Sequence, residues 1–314
     1  MSGNIPCSCR TGLTAPSRSH VLEFELRAVQ SRGVWPRVGR LARRSPLGAA
    51  SFVVIVGLVA VALLAPTLAP YDPLELHRID RLQGPSSRYW LGTDSFGRDQ
   101  FSRILHGSRV SLWVGVAPIL LSTVVGAGIG VVSAFYGRWV DTTVQRVMDA
   151  VMAFPALLLV LVIVALLGPS ERNIILVLAL VTTPAVNRVA RGSTLVVVAQ
   201  PFVESARAVG ASSGRIVLMH IIPNVFAPVL VVAASLVGTA VLAEASLSFL
   251  GLGVPPPEPT WGNLLAGQNR DLFEVAPWLA IFPGLAITVT VLAFNLFGDA
   301  LRDLLDPRTR GRAS

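Results

Sequence analysis

Six stretches of this chain are apolar and free or nearly free of charge, and no other feature constrains its fold as tightly. Residues 47–70, 110–135, 150–168, 172–190, 224–243 and 276–298 each read as a membrane span. About twenty apolar residues in helical form cross roughly 30 Å of hydrocarbon. Lipid offers no partner to a backbone N–H or C=O, so a span outside a closed barrel must be a helix. No stretch shows the strict alternation of a strand. The expectation is an all-α, polytopic membrane protein whose six transmembrane helices form one domain over residues 45–306.

Charge between the spans sets their orientation. Residues 1–44 hold eight arginines against Glu23 and Glu25, and Arg37, Arg40, Arg43 and Arg44 stand just before the first span. Basic flanks stay in the cytoplasm, so this tail and, six crossings later, the tail at 307–314 are both expected inside. No signal-peptide pattern opens the chain. Residues 71–109 then form an extracytoplasmic loop. Its six arginines run against the positive-inside rule, but five acids balance them. The fourth span is the shortest: only residues 173–187 are uncharged, Pro184 is among them, and Arg188 must snorkel or face protein. Crossing there keeps the basic stretch 191–223, with Arg191, Arg207 and Arg215, on the cytosolic side.

Few residues within the spans suggest chemistry. Gly126 and Gly130 have the spacing of a small-residue packing face. A short loop with Arg138, Asp141 and Arg146 leads to the third span, where Met148, Met152 and Phe154 face either a pore or ordinary packing. Glu244, near the outer end of the fifth span, is either a functional ionisable group or a hydrogen-bonding partner of the loop that follows.

Several function classes are excluded on composition. All 26 basic residues are arginine. A P-loop requires a lysine on the nucleotide phosphates, and a Schiff base requires a lysine amine, so this chain builds neither. The histidines (His20, His77, His106 and His220) fall in no HExxH or Ser/His/Asp grouping. Cys7-x-Cys9, even with His20, falls short of a closed zinc site. The charge of +8 comes from arginines in tails and loops, where membrane topology rather than nucleic acid explains it. No catalytic residue, metal site or cofactor of its own is expected.

The polar stretch 202–223, FVESARAVGASSGRIVLMHIIP, is unlike its apolar neighbours. Residues 204–208 read as a short helix, Gly210 as a turn, and Ser212 and Ser213 as caps for a second helix that Pro223 stops or kinks. Helix, turn and helix between two spans suit docking to a soluble partner. Glu204, Ser205, Ala206 and Gly210, followed by Arg215, His220 and Pro223, resemble the EAA loop of bacterial ABC importer permeases. Two further stretches resemble the C-type subunit of the dipeptide, oligopeptide and nickel branch. One is residues 91–99 (LGTDSFGRD), with Gly92, Asp94, Gly97, Arg98 and Asp99, continuing through Arg103, Gly107 and Arg109. The other is residues 244–253 (EASLSFLGLG), with Glu244, Gly251 and Gly253, continuing to Trp261 and Gly262.

That resemblance covers about residues 45–307 and implies the MetI-like fold of type I ABC importers. It implies a second, homologous permease chain, two ATP-binding subunits that bind ATP and magnesium, and an extracytoplasmic substrate-binding protein. Glu204 would hold the two short helices together or meet a basic group, and the loop would couple ATP hydrolysis to the spans. Di- or oligopeptides are the implied substrates, with nickel or another small ligand as the alternative. An ion-coupled secondary transporter is the rival class, which the scarcity of carboxylates within spans disfavours. No substrate-contacting residue is legible.

Overall fold

Each uncharged stretch folds as helix, but the helices run past the limits set by charge. The structure, a computed structural model, describes residues 46–305. Cys7, Cys9, His20, the Arg37–Arg44 cluster and both basic tails lie outside the described residues. Helix α1 is Pro46–Leu68, α2 is Gln100–Tyr136, α3 is Arg138–Met152, α4 is Ala156–Leu167 and α5 is Glu171–Val198. Short helices α6, Pro201–Ala208, and α7, Ser213–Ile216, precede a π-turn at Val217–Ile221. Then come α8, Ile222–Phe249, the short α9, Trp261–Leu264, and α10, Trp278–Leu305. Among the described residues the only β-type pairing is a single bridge between Thr93 and Asp99. Among the described residues five helices are long and apolar enough to cross a membrane, and the count reaches six where the bent pair α3–α4 is taken as one broken span rather than a re-entrant loop.

Caps explain why the boundaries moved. The Asp99 carboxylate accepts the Ser102 N–H at 2.8 Å and the Ser102 hydroxyl at 2.6 Å, so α2 starts ten residues before the uncharged stretch. Arg103 and Arg109 are therefore helical rather than in the loop. Ser170 caps α5, which continues through Pro184 to Val198, well beyond the expected fourth span.

The third span differs most from expectation. The supposed short loop after residue 137 is the amphipathic helix α3, and the pair α3–α4 bends by 85° at Ala153–Pro155. Pro155 has no N–H to continue the ladder and restricts the residue before it. The polar face of α3 is held to α5: Arg191 forks onto both Asp141 oxygens at 2.7 and 2.6 Å, and Arg188 reaches Asp149 at 2.7 Å. Arg188 thus faces protein. In double-mutant cycles on thermal unfolding, the Asp141–Arg191 pair is expected to couple by about 1 kcal/mol. The Asp149–Arg188 pair, half-exposed on both sides, should couple by less.

The bundle is built on α2 and α5. Gly126 and Gly130 bring the two backbones together: a Cβ on Gly126 would lie 2.8 Å from the Thr183 carbonyl oxygen, and one on Gly130 2.7 Å from that of Asn187. Buried Asn187 joins three helices at this level. Its amide reaches the Gly126 carbonyl at 3.4 Å, and its oxygen accepts from Gln145 of α3 at 3.1 Å. Helix α8 packs against both members of this pair, α10 packs on α8 and α1, and α1 lies at the periphery, burying only Gly48, Ser51, Ala62 and Ala65.

The segment between α1 and α2 is ordered by polar contacts. Tyr89 is fully buried, its hydroxyl donating to Asp80 at 2.8 Å. Burial, and then that bond, push its phenol up to about 12. The Trp278 indole N–H donates to the Thr93 carbonyl at 3.2 Å, tying this segment to α10.

Candidate functional site

The residues singled out in the sequence gather at opposite ends of the same helices. At one end, where α5 stops and α8 begins, lies the loop resembling an EAA loop. Proline at the first position of α6 has no N–H to waste there, and α6 ends in a full Schellman motif. Gly210 N–H bonds the Arg207 carbonyl and Ala211 N–H the Ala206 carbonyl, both at 3.0 Å. Gly210 has φ +79°, a conformation that costs an L-residue about 1–2 kcal/mol. The Ser212 hydroxyl then caps α7 through the Arg215 N–H at 3.4 Å.

Pro223 does not stop the second helix. It occupies the first turn of α8, where its missing N–H is tolerated, and the π-turn before it takes up the register. The Asn224 side chain donates to the His220 carbonyl at 2.7 Å. One helical rod therefore runs over Ser213–Phe249.

This loop has two distinct sides. Inward, Val203, Ile216 and Ile221 are buried in one cluster with Val131 of α2, Val186 and Ala190 of α5, and Val225 and Val229 of α8, while Ala206 and Ala211 pack against it. Outward, Val209 is 84% exposed, Leu218 66% and Met219 65%. Glu204, expected to tie the short helices together or meet a basic group, is exposed. No hydrogen bond or ion pair reaches its side chain among the described residues; the Schellman motif and Val203 make the tie instead. Two contacts escaped sequence reasoning because nothing local in the sequence pairs their partners. Arg207 lies over the Phe135 ring of α2 at 5.6 Å, and the Phe202 and His220 rings are 6.1 Å apart.

At the opposite end, the two signature stretches form one polar cluster. Asp94, with no exposed surface, accepts the Phe96 and Arg98 N–H groups on Oδ1 at 2.8 and 2.9 Å. Its Oδ2 accepts from Arg98 Nε at 2.7 Å and from Arg103. Glu244 is 1% exposed, and its Oε1 accepts the Ser248 hydroxyl at 2.7 Å and the Thr260 hydroxyl at 3.0 Å. Glu244 thus bonds the loop that follows α8 through Oε1, while its Oε2 is buried without a hydrogen-bond partner.

Close packing accounts for the rest of the signature. Trp261 is buried, its backbone N–H on Ser111 at 3.0 Å and its indole N–H on the Ile104 carbonyl at 3.1 Å. A Cβ on Gly262 would come within 2.7 Å of Ala245 and Ser248, and one on Gly253 would collide with Ser248. Gly107 faces Thr260 and Trp261, and Gly92 lies against Gln83 and Trp278. Gly97 closes the turn onto Asp94, its N–H bonding the Asp94 carbonyl at 3.0 Å. Gly251 ends α8 in a second Schellman motif, bringing Leu252 onto Leu247. Arg109 is exposed, away from this cluster, in a separate cavity with Glu171 and Glu258. No group of three metal-binding side chains occurs among the described residues.

Residues 126–311 match the family described as "Binding-protein-dependent transport system inner membrane component". Residues 34–85 match the "N-terminal TM domain of oligopeptide transport permease C". The dipeptide transport system permease protein DppC of Alkalihalophilus pseudofirmus is 40% identical over 276 residues, covering 88% of this chain and 90% of the relative. The glutathione transport system permease protein GsiD of Escherichia coli O157:H7 is 42% identical over 283 residues, covering 90% and 93%. GsiD of Pectobacterium atrosepticum is 41% identical over 280 residues, covering 89% and 93%.

Proposed function

We propose, from the premise that this chain belongs to the family of binding-protein-dependent transport system inner membrane components, that it is the permease subunit of an ATP-driven importer of short peptides. The relatives' names, dipeptide in one case and glutathione in the others, support a small peptide as cargo. Two ATP-binding subunits hold the nucleotide, since a chain without lysine has no P-loop of its own. A second homologous permease completes the path, and an extracytoplasmic protein delivers the cargo. Both termini and the 191–223 loop face the cytoplasm, as the arginine distribution supports.

The observation that carries the coupling role is the two-sidedness of the loop. Exposed Val209, Leu218 and Met219 offer an apolar docking surface to a partner. Behind them, Val203 and Ile216 are wedged among residues of α2, α5 and α8. Displacement of the short helices by closing ATPase subunits therefore pushes three spans together, because a close-packed cluster transmits strain rather than absorbing it.

Gly210→Trp tests this reading. No atom lies within 4 Å of the position its Cβ would take, so the bulk projects outward and the fold bears only the backbone strain. The expected result in proteoliposomes is normal membrane content with uptake and peptide-stimulated ATP hydrolysis reduced at least about tenfold, a partner-interface loss of about 1.4 kcal/mol or more. Gly210→Asn, which tolerates the left-handed conformation, should retain most activity. Undiminished uptake by the tryptophan variant would sink the coupling assignment.

A further inference from the structure

Between the two signature stretches lies a cavity of about 460 Å³, within the range of small-molecule sites. It is walled by Phe96, Arg98 and Arg103 from one stretch and by Ser248 and the 253–257 segment from the other, with Asn269 beside them. Three consecutive prolines, Pro255, Pro256 and Pro257, present no N–H to it.

The electrostatics of this wall are unbalanced. Arg98 and Arg103 are its charged residues, and none of the described lining residues is acidic. Asp94 stands behind them, and both its oxygens are fully used by the two N–H groups and the two guanidiniums. Within the lining and its direct ion pairs the count is one carboxylate against two guanidiniums; the buried acids Asp99, one turn before Arg103, and Glu244 lie outside that set. Arg103 is only 5% exposed, and its Nε finds no hydrogen-bond partner although it is shut off from solvent. A buried guanidinium N–H left without an acceptor is costly. Arg98 completes the wall, its guanidinium lying 4.8 Å from the Phe96 ring centroid. Glu244 lies beyond Ser248, outside the lining; its Oε1 is engaged and its Oε2 is buried without a partner.

We propose that this cavity takes the carboxylate of a small peptide, with Arg103 and Arg98 as its counter-charge and the glycine- and proline-rich 251–257 segment as its apolar wall. The inference rests on the peptide-import reading and extends it by giving the permease a binding site of its own. Guanidinium matches carboxylate in geometry as well as charge. The location fits entry, since the cavity sits at the end of the bundle opposite the coupling loop.

Equilibrium dialysis of radiolabelled dialanine tests the site, using the full chain co-expressed with its partner subunits in nanodiscs without ATP, with uptake measured on the same preparations. Saturable binding is expected, at least about tenfold weaker for dialanine amide and for Arg103→Gln, and partly restored in Arg103→Lys. Ala266→Phe fills the cavity from a lining position that takes no part in the Asp94 ion pairs, so it should abolish binding even if Arg103→Gln fails to fold. Equal binding of acid and amide, or undiminished binding in Ala266→Phe, overturns the site. Acetate that displaces the label as well as unlabelled dialanine would show a site for any small carboxylate and overturn the peptide assignment. Absent binding with ATP-driven uptake intact removes the site and leaves the import reading. Binding without uptake of any peptide removes the import reading and leaves the site.

Discussion

Asp94→Ala is expected to cost about 3–5 kcal/mol of stability, the range seen when one member of a buried charged network is removed. The carboxylate has no exposed surface and gathers two backbone N–H groups and two arginines. Its loss strands Arg103 at 5% exposure with no counter-ion and opens the turn around Gly97. Thermal unfolding of the purified complex in detergent reads the effect. Asp94→Asn should cost less, because an amide still accepts the N–H bonds. Combining Asp94→Ala with Arg103→Met should be milder than the sum of the two single changes, since the second removes the stranded charge. A loss below about 1 kcal/mol for Asp94→Ala would mean that water reaches these guanidiniums and that the cluster is not a dry network.

Gly130→Leu should be comparably severe, for a steric reason. Its Cβ would stand 2.7 Å from the Asn187 carbonyl oxygen, 3.1 Å from the Ala190 Cβ and 3.1 Å from the Arg191 nitrogen. Two of those neighbours are backbone of α5 and cannot rotate away. Separating α2 from α5 would also break the Asn187 bond to Gly126 and strain the Asp141–Arg191 pair. Destabilisation of about 3 kcal/mol or more is expected, with loss of folded chain from the membrane fraction. Gly128→Leu is the matched control. Nothing lies within 4 Å of that position, so it should fold normally. Equal behaviour of the two variants would refute the packing role of this helix pair.

The apolar stretches were legible because lipid applies a simple criterion of length and charge to each segment by itself. Helix ends were not, because caps and distant partners decide them. Asp99 starts α2 inside a stretch that looks polar, and Ser170 lets α5 begin beside Glu171. Pro155 was visible as a breaker, but the 85° bend also depends on Arg188 and Arg191, which lie 39 and 50 residues from their acids. Pro223 illustrates the opposite error. A proline at a helix start reads locally as a stop, whereas the π-turn before it lets the rod continue. Resemblance grouped the signature residues but gave no pairing among them, and Arg109 of that group lies in a separate cavity. That Asp94 binds Arg103, and that Glu244 holds Thr260, follows only from the folded arrangement of α2, α8 and the loop beyond it.

Helix α2 carries Arg103 at the cavity proposed for a carboxylate near one end, and Val131 and Phe135 in the cluster behind the proposed coupling loop near the other. Arg103 and Val131 are about 42 Å apart along its axis at 1.5 Å per residue. A tilt of about 5° about the midpoint carries each of those positions through roughly 2 Å, in opposite directions. Such a stroke is large at the cavity, where it is enough to break or make a hydrogen bond to a bound carboxylate. On the proposed reading, a single continuous lever ties grip on the cargo at one face to engagement of the motor at the other, without any relay of side chains between them.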